Sequence, residues 1–487
     1  MISTQIRIHD KCSVEIKTGF IVSEQEKNID KFKINTWIFL PNGLDINSFT
    51  YTKEQFYSDI KSNVRLITPI YSLAEILKGE KGPFPRLKKA INCLLLEPNE
   101  INAENYTYQI KMLLCILKSA LRKNYRNILC LKEKKQIIAS IRDFADNVTA
   151  INSKYRAFRD DLLTQPNVSD ELKEYFLFGD EYLSIITEET AYQLFAYFQN
   201  QQSVYADMQP ILAKFLEKET ENREKMNYET PVEEDEEHNS LMLIKRSTLK
   251  KFVESDLYLQ RIKKTDGAFQ RELYYSLAAG LAMIFATVIS FVATQQLGNF
   301  TSTLFLVLVV SYMLKDRIKE MARFYFSSRL DQKYFDRKWD VSIRNQEIGA
   351  IREAFDFISQ HKVPEEIQNL RNKTPLVKAE NNVYDEKVIL YRKRVSLSKK
   401  DLEEYKEYHL SGINDIIRLN LMSFTKQMDN PTLPMHLPDS ETGYKTIKGK
   451  RVYALYFILE CKSDEDTYYK KYRLLLNRKG ISDIREI

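Results

Sequence analysis

Apolar positions recur along this chain with three different periods, and each period predicts a different element. From Ile137 onward, Ile141, Phe144, Val148, Ile151, Tyr155 and Phe158 follow at 4-3-4-3-4-3 spacing. That is the seam of a helix packed on another helix. Ile110, Leu114, Leu117, Leu121 and Ile128 make a comparable stripe just before it. Helix starts are marked upstream, where Thr52 with Gln55 and Ser72 with Glu75 fit the capping-box spacing. Lys81-Gly82-Pro83 breaks the second of these helices. A helical bundle over 51–227 is the economical reading, with the seam filled inside one chain.

Period two governs both ends. Ser13–Val22 and Lys31–Leu40 are β-branched apolar runs joined by a polar stretch, which predicts an N-terminal β-hairpin within 1–50. From residue 384 onward strands return. Ile417, Leu419 and Leu421 alternate with polar neighbours, Val452–Leu459 is continuously apolar, and Thr467–Leu476 and a final strand follow. About five strands within 384–487 suggest a small β-sandwich. The proline-bearing stretch 427–442 reads as a long loop, a lid or contact surface.

The third pattern has no polar phase at all. Leu273 to Leu314 is a run of 42 residues without a charge. It is long enough for two helical crossings of a bilayer core of about 30 Å, with a tight turn at Gln295, Gln296, Gly298 and Asn299. A two-helix transmembrane hairpin over 273–314 is therefore expected. The alternatives are one span with an interfacial second segment, and a buried hairpin of a soluble core. Ala278, Ala282, Ala286 and Ser290 repeat every four residues on the first helix, a small-residue stripe that permits close helix approach. It either packs the hairpin on itself or forms the centre of a homo-oligomer. Outside the hairpin, 228–240 reads as an acidic linker around Glu233–Glu237, 241–272 as a juxtamembrane amphipathic helix, and 315–362 as a helical stalk. The stalk reading rests on Ile348, Ile351, Phe355 and Ile358. A linker over 363–383, marked by Pro364 and Pro375, leads to the sandwich. The fold class is thus an α+β multidomain membrane protein.

Charge sharpens the picture more than composition does. Lys and Arg number 73 and Asp and Glu 67 in 487 residues, an ordinary globular balance, while Gly and Pro, 13 each, stand at about half their usual share or less. Mean hydropathy is −0.41, an average that conceals the hairpin. Residues 241–373 hold 21 Lys/Arg against 14 Asp/Glu, so the positive charge collects around the apolar run. Lys263, Lys264 and Arg271 precede it, Lys315, Arg317 and Lys319 follow it, and the turn between carries neither Lys nor Arg. The positive-inside rule then sets topology: a cell (plasma or inner) membrane with both termini cytoplasmic and the turn outside.

Chemistry is sparse. The five cysteines form no C-x-x-C pair, and the histidines are scattered. No phosphate-binding, hydrolase, metalloprotease or kinase motif occurs. No catalytic residue, metal ligand or cofactor is expected, and an enzyme is the lesser reading. Nucleic acid is not an expected partner, because the basic charge collars the hairpin without a nucleic-acid-binding motif. Arg392 and Arg394 share one face of a strand with Lys393 on the other. They are either a solvated edge or a contact for an anion. The sequence thus predicts the lipid bilayer as partner, with a homo-oligomer, a cytoplasmic protein or a small anionic ligand as further partners. The leading functional expectation is an oligomeric, ligand- or partner-controlled membrane effector of channel-like type. The alternative is a membrane-tethered scaffold or receptor subunit whose hairpin only anchors it.

Overall fold

A computed structural model describes residues 1–22, 28–264, 266–297, 302–343, 346–381, 385–403, 408, 410–441, 443–464 and 466–487. The protein is a mixed α/β chain that divides into two compact units. One comprises Met1–Val64, Leu259–Lys406 and Ser411–Ile487; the other, Arg65–Tyr258 with Glu407–Leu410.

In chain order the first unit opens with β1 (Ile2–Ile8), β2 (Ser13–Ile21), β3 (Ile29–Leu40), α1 (Lys53–Asp59) and β4 (Ile60–Leu66). Helix α1 starts where its capping box places it: Thr52 accepts from the Gln55 amide, and the Gln55 side chain accepts from the Thr52 amide. The second unit is helical: α2 (Leu73–Lys78), α3 (Pro83–Leu96), α4 (Glu100–Cys130), α5 (Lys134–Arg156), α6 (Arg159–Leu163), α7 (Asp170–Phe198), α8 (Gln202–Lys225) and α9 (Glu236–Glu254). The chain then returns to the first unit with β5 (Gln260–Lys264), α10 (Ala268–Leu297), α11 (Ser302–Lys333), β6 (Arg337–Ile343) and β7 (Gln346–Ile358). It ends with α12 (Glu365–Arg371), α13 (Pro375–Asn381), β8 (Lys387–Ser398), α14 (Lys399–Glu403), β9 (Gly412–Asn420), α15 (Met422–Lys426), β10 (Thr432–Asp439), β11 (Gly443–Lys450), β12 (Tyr453–Lys462), β13 (Thr467–Asn477) and β14 (Gly480–Glu486).

In the helical unit the seam residues Ile137, Ile141, Phe144, Val148, Ile151 and Tyr155 are all buried, while Phe158 is half-buried. Each large apolar side chain taken fully from water contributes roughly 1.5–3 kcal/mol, so this stripe dominates the packing of α5. The seam is filled within the chain. A buried polar hub accompanies it. Arg156 bonds Asp180 (2.8 Å) on α7 and Glu219 (2.7 Å) on α8, and Asn152 and Ser184 also donate to Glu219. Burial pushes the Glu219 carboxyl up, but Arg156 and the other donors more than offset it and hold its pKa below the ordinary value.

Two large sheets and a two-stranded ribbon, β10–β11, make the strands of the other unit. One has the strand order β1-β2-β9-β4, the other β14-β13-β12-β3-β8-β7-β6-β5. Their inner faces meet: the Phe20 ring on β2 lies 5.4 Å from Phe32 on β3, and Tyr468 on β13 donates to the Ile2 carbonyl at 3.0 Å. The outer face of the larger sheet is covered at one end by α12, where Val363 and Ile367 pack on Trp37, Phe39, Val388, Leu390 and Ile458.

Several expectations are corrected by this architecture. β2 and β3 do exist but do not pair; β2 lies between β1 and β9, and β3 lies between β12 and β8. The continuous burial of Trp37 to Leu40 marks β3 as a central strand covered on both faces, not half of a terminal hairpin. The strands of 384–487 consequently form no separate sandwich; apart from the β10–β11 pair they complete sheets begun by residues 1–40. The helical stalk over 315–362 is helix only to Lys333 and strand afterwards. Its misleading spacing arises from a bulge, since Val341 pairs with Gly349 and Ser342 with Glu347, skipping Ile348. The extra residue shifts the side-chain phase, so that Ile348 and Ile351 are both buried three residues apart, as on a helix.

The linker over 363–383 contains two short helices, α12 and α13. The acidic linker over 228–240 is in part the start of α9, with Asp235 accepting from the His238 amide and Glu236 and Glu237 in the first turn, where the helix dipole favours them. The juxtamembrane helix over 241–272 is corrected too. α9 ends at Glu254, buries Met242, Leu249 and Val253 in the helical unit, and is followed by strand β5. The loop 427–442 contains strand β10.

Candidate membrane-insertion site

The feature that stands apart is the helix pair α10–α11, inserted between two neighbouring strands. β5 and β6 pair antiparallel with Lys264 opposite Lys338, and the helices leave from that end of the ladder. Both ends of the hairpin therefore remain on one side of any layer it enters. Its root is fastened. Phe335 donates its amide to Asp266 (3.2 Å), and Arg352 pairs with the same carboxylate (3.4 Å). Asp336 accepts from Lys53 (2.6 Å), the Tyr57 hydroxyl (2.9 Å) and the Phe355 amide (2.8 Å). Gly267 turns the chain into α10 at φ 66°, where a Cβ would lie 2.6 Å from the Tyr334 ring.

α10 has 30 residues and is about 45 Å long. Its segment Ala268–Gln296 is long and apolar enough to cross a bilayer, and only a small share of it is buried. Leu277, Leu281, Met283, Ile284, Val288 and Phe291 are all exposed, Phe291 at 75%. A patch of this size on a water-facing surface is unusual and marks a contact with lipid or protein. Among the described residues α11 does not pass the same test. Its apolar run ends at Leu314, about 20 Å from its start. Arg323 lies 4.6 Å from the Tyr275 ring centre and the rings of Tyr274 and Phe326 are 5.3 Å apart, so the antiparallel register brings Lys315 level with Met283 and Ile284. Below that level one helix is apolar and its neighbour charged. The turn residues Gly298 and Asn299 lie outside the described residues.

The small-residue stripe divides. Ala278 and Ala282 are almost fully buried against α11, at 0% and 1% exposure, while Ala286 and Ser290 are half-buried. The flanking cations differ among themselves. Lys263 is exposed, Arg271 and Lys319 are half-buried, and Lys264 is paired with Asp340, which Lys338 also contacts at 3.2 Å. Arg317 pairs with Glu320 at 3.5 Å, and the Lys315 ammonium sits 3.7 Å from the Tyr312 ring centre.

Arg392 and Arg394 do share the outer face of the large sheet, each beside the Phe335 ring, at 5.7 and 5.9 Å from its centre. Arg392 binds Asp356 (2.7 Å), and Arg394 binds Asn35 (3.0 Å) and the Lys393 carbonyl (2.9 Å). Burial first, and Arg392 second, push the Arg394 pKa down. Lys393 points the other way, into the space between the sheets, and was not legible as a site. It pairs with Glu353 (2.9 Å) and with Asp415, while Tyr391 (2.8 Å) and Trp339 (3.3 Å) also donate to Glu353. Desolvation pushes the ammonium down, but the two carboxylates more than offset it and its pKa lies above the ordinary value. Among the described residues no group of three or more His, Cys, Asp or Glu is placed to hold a metal ion. No family model, no curated protein and no solved structure matches this chain.

Proposed function

We propose that the protein is a membrane effector of the cell membrane, with both soluble units and both termini on the cytoplasmic side. In this reading α10 crosses the bilayer and α11 returns, its short apolar run completed by Lys315 and Arg317 reaching toward the headgroups. A cytoplasmic protein or small anionic ligand acting on the soluble units would favour one arrangement of an oligomeric hairpin by differential contacts. The observation that carries the reading is the root. An anchor needs only a tether, whereas these helices lie three residues from paired strands of an eight-stranded sheet at either end and are hydrogen-bonded there through Asp266 and Asp336. A shift of that sheet edge is thereby a shift of the hairpin.

The second reading, a tethered scaffold, is favoured by Ala278 and Ala282, whose small surfaces are already occupied within the hairpin. Molecular mass in detergent together with ion flux in liposomes separates the two. An oligomer with flux that responds to added cytoplasmic fractions supports the effector. A strict monomer without flux, with and without those fractions, refutes it and leaves the anchor.

A further inference from the structure

Strands β10 and β11 form a two-stranded ribbon that belongs to neither sheet, with Thr432 opposite Lys450 and Asp439 opposite Gly443. Nearly every residue of it is exposed. An isolated ribbon of this kind is marginal in water and needs something against one face. The alternation supplies that face. Leu433, Met435 and Leu437 point one way together with Ile447, which pairs with Met435, and they are 45%, 55%, 49% and 37% exposed. The opposite face is mixed: Thr432, His436, Thr446, Lys448 and Lys450 stand there with Pro434, Pro438 and the exposed Tyr444 ring, while Lys445 lies on the apolar side opposite Leu437.

Two properties decide what covers the apolar face. The ribbon is built against strand addition: Pro434 and Pro438 remove donors from β10, and β11 carries Lys445, Lys448 and Lys450. Its face is also small. Eight residues at about 3.4 Å and two strands about 10 Å wide give roughly 270 Å², well below the roughly 800 Å² per partner of a stable protein interface. A second copy or a globular partner held by this face alone is therefore disfavoured. A bilayer needs no such area when the same unit is already tethered to it. Charge points the same way, since residues 432–451 hold Lys445, Lys448, Lys450 and Arg451 against Asp439 and Glu441. Cations near an anionic leaflet contribute about 1 kcal/mol each.

We propose that the β10–β11 ribbon is a second bilayer contact, lying flat with Leu433, Met435, Leu437 and Ile447 in the interface of an anionic leaflet. The inference rests on the membrane reading of the hairpin, and its test keeps the two apart. In the full chain with Cys12, Cys93 and Cys130 changed to serine, one cysteine at a time is introduced by Met435→Cys, His436→Cys or Phe291→Cys and labelled with an environment-sensitive fluorophore. The protein is reconstituted into phosphatidylcholine vesicles with or without phosphatidylserine, and quenching by spin-labelled lipid is measured. With phosphatidylserine, the label at position 435 is expected to be quenched several-fold more than the label at 436, and the difference is expected to collapse without it. Quenching at 291 with none at 435, or equal quenching at 435 and 436, overturns the ribbon contact and leaves the hairpin reading standing. No quenching at 291 overturns the hairpin reading itself. A label at 435 that is shielded but unquenched, in proportion to protein concentration, overturns the lipid assignment in favour of a protein surface.

Discussion

Removing the Lys393 ammonium while keeping its bulk, by Lys393→Met, isolates one buried charge between the two sheets. Lys393 and Glu353 are 2% and 4% exposed and Asp415 is fully buried. At the 2.9 Å separation from Glu353, one Coulomb contact amounts to about 6 kcal/mol at an effective dielectric constant of about 20. Desolvation of the three ions opposes most of that gain, so the intact cluster contributes little net stability. The variant is different, because both carboxylates stay buried after their cation is gone. Among the described residues, Tyr391 and Trp339 remain as donors on Glu353, and Ser62 (2.9 Å) on Asp415.

The expected loss is about 3–5 kcal/mol, whereas Lys393→Met with Glu353→Leu and Asp415→Leu together recovers most of it. Denaturant unfolding of the full chain in detergent, followed by tryptophan fluorescence, reads this unit alone, because Trp37 and Trp339 both lie in it. The sign with pH is fixed as well. In the native protein Glu353 titrates below its ordinary value, burial raising its pKa and Lys393 lowering it further, so its stabilisation is present above about pH 4.5 and fades as pH falls through the lower folded value. In Lys393→Met the Glu353 carboxyl, buried without its cation, titrates above that value, so the penalty is full near neutrality and shrinks on acidification. A loss under about 1 kcal/mol at neutral pH, or one that grows toward pH 5, would refute the buried-cluster argument.

Three further outcomes follow from the same structure. Ala278→Leu forces α10 and α11 apart and should cost about 1–3 kcal/mol in a thermal melt in detergent, while Gly280→Leu, with nothing within 4 Å of its Cβ position, should be neutral or stabilising. Thr52→Ala and Ser72→Ala each remove a capping box and should cost about 1 kcal/mol, the first seen by tryptophan fluorescence and the second by helical circular dichroism. Gly267→Ala adds left-handed backbone strain of about 1–2 kcal/mol and a clash with Tyr334, and should speed tryptic cleavage after Lys263 and Lys264.

What could be read from the sequence was local. The α5 seam, both capping boxes, the alternation of Ile417 and Leu419, and the uncharged stretch of α10 from Leu273 onward are each encoded within one element. The misplaced sheet strands involve partners remote along the chain, whereas the stalk reading fails on a local feature. Nothing near β3 announces that β12 and β8 flank it, and the bulge at Ile348 imitates a helical repeat. Within Arg392-Lys393-Arg394 the one buried cation is the middle one, and only the fold brings Asp415 to it. The Arg156 hub was invisible for the same reason, its carboxylates lying on two other helices.

The placement of β3 also sets a schedule. Asn35 donates to Glu460 across 425 residues, a gap that a ribosome takes about 20–85 s to traverse at roughly 5–20 residues per second. Helices α10 and α11 are finished by residue 333, before β8 or β12 has been made. The most lipid-compatible surface thus emerges while the larger sheet still lacks its centre. Under the proposed function the hairpin would meet the bilayer first during synthesis, and the sheet that holds its root would close behind it.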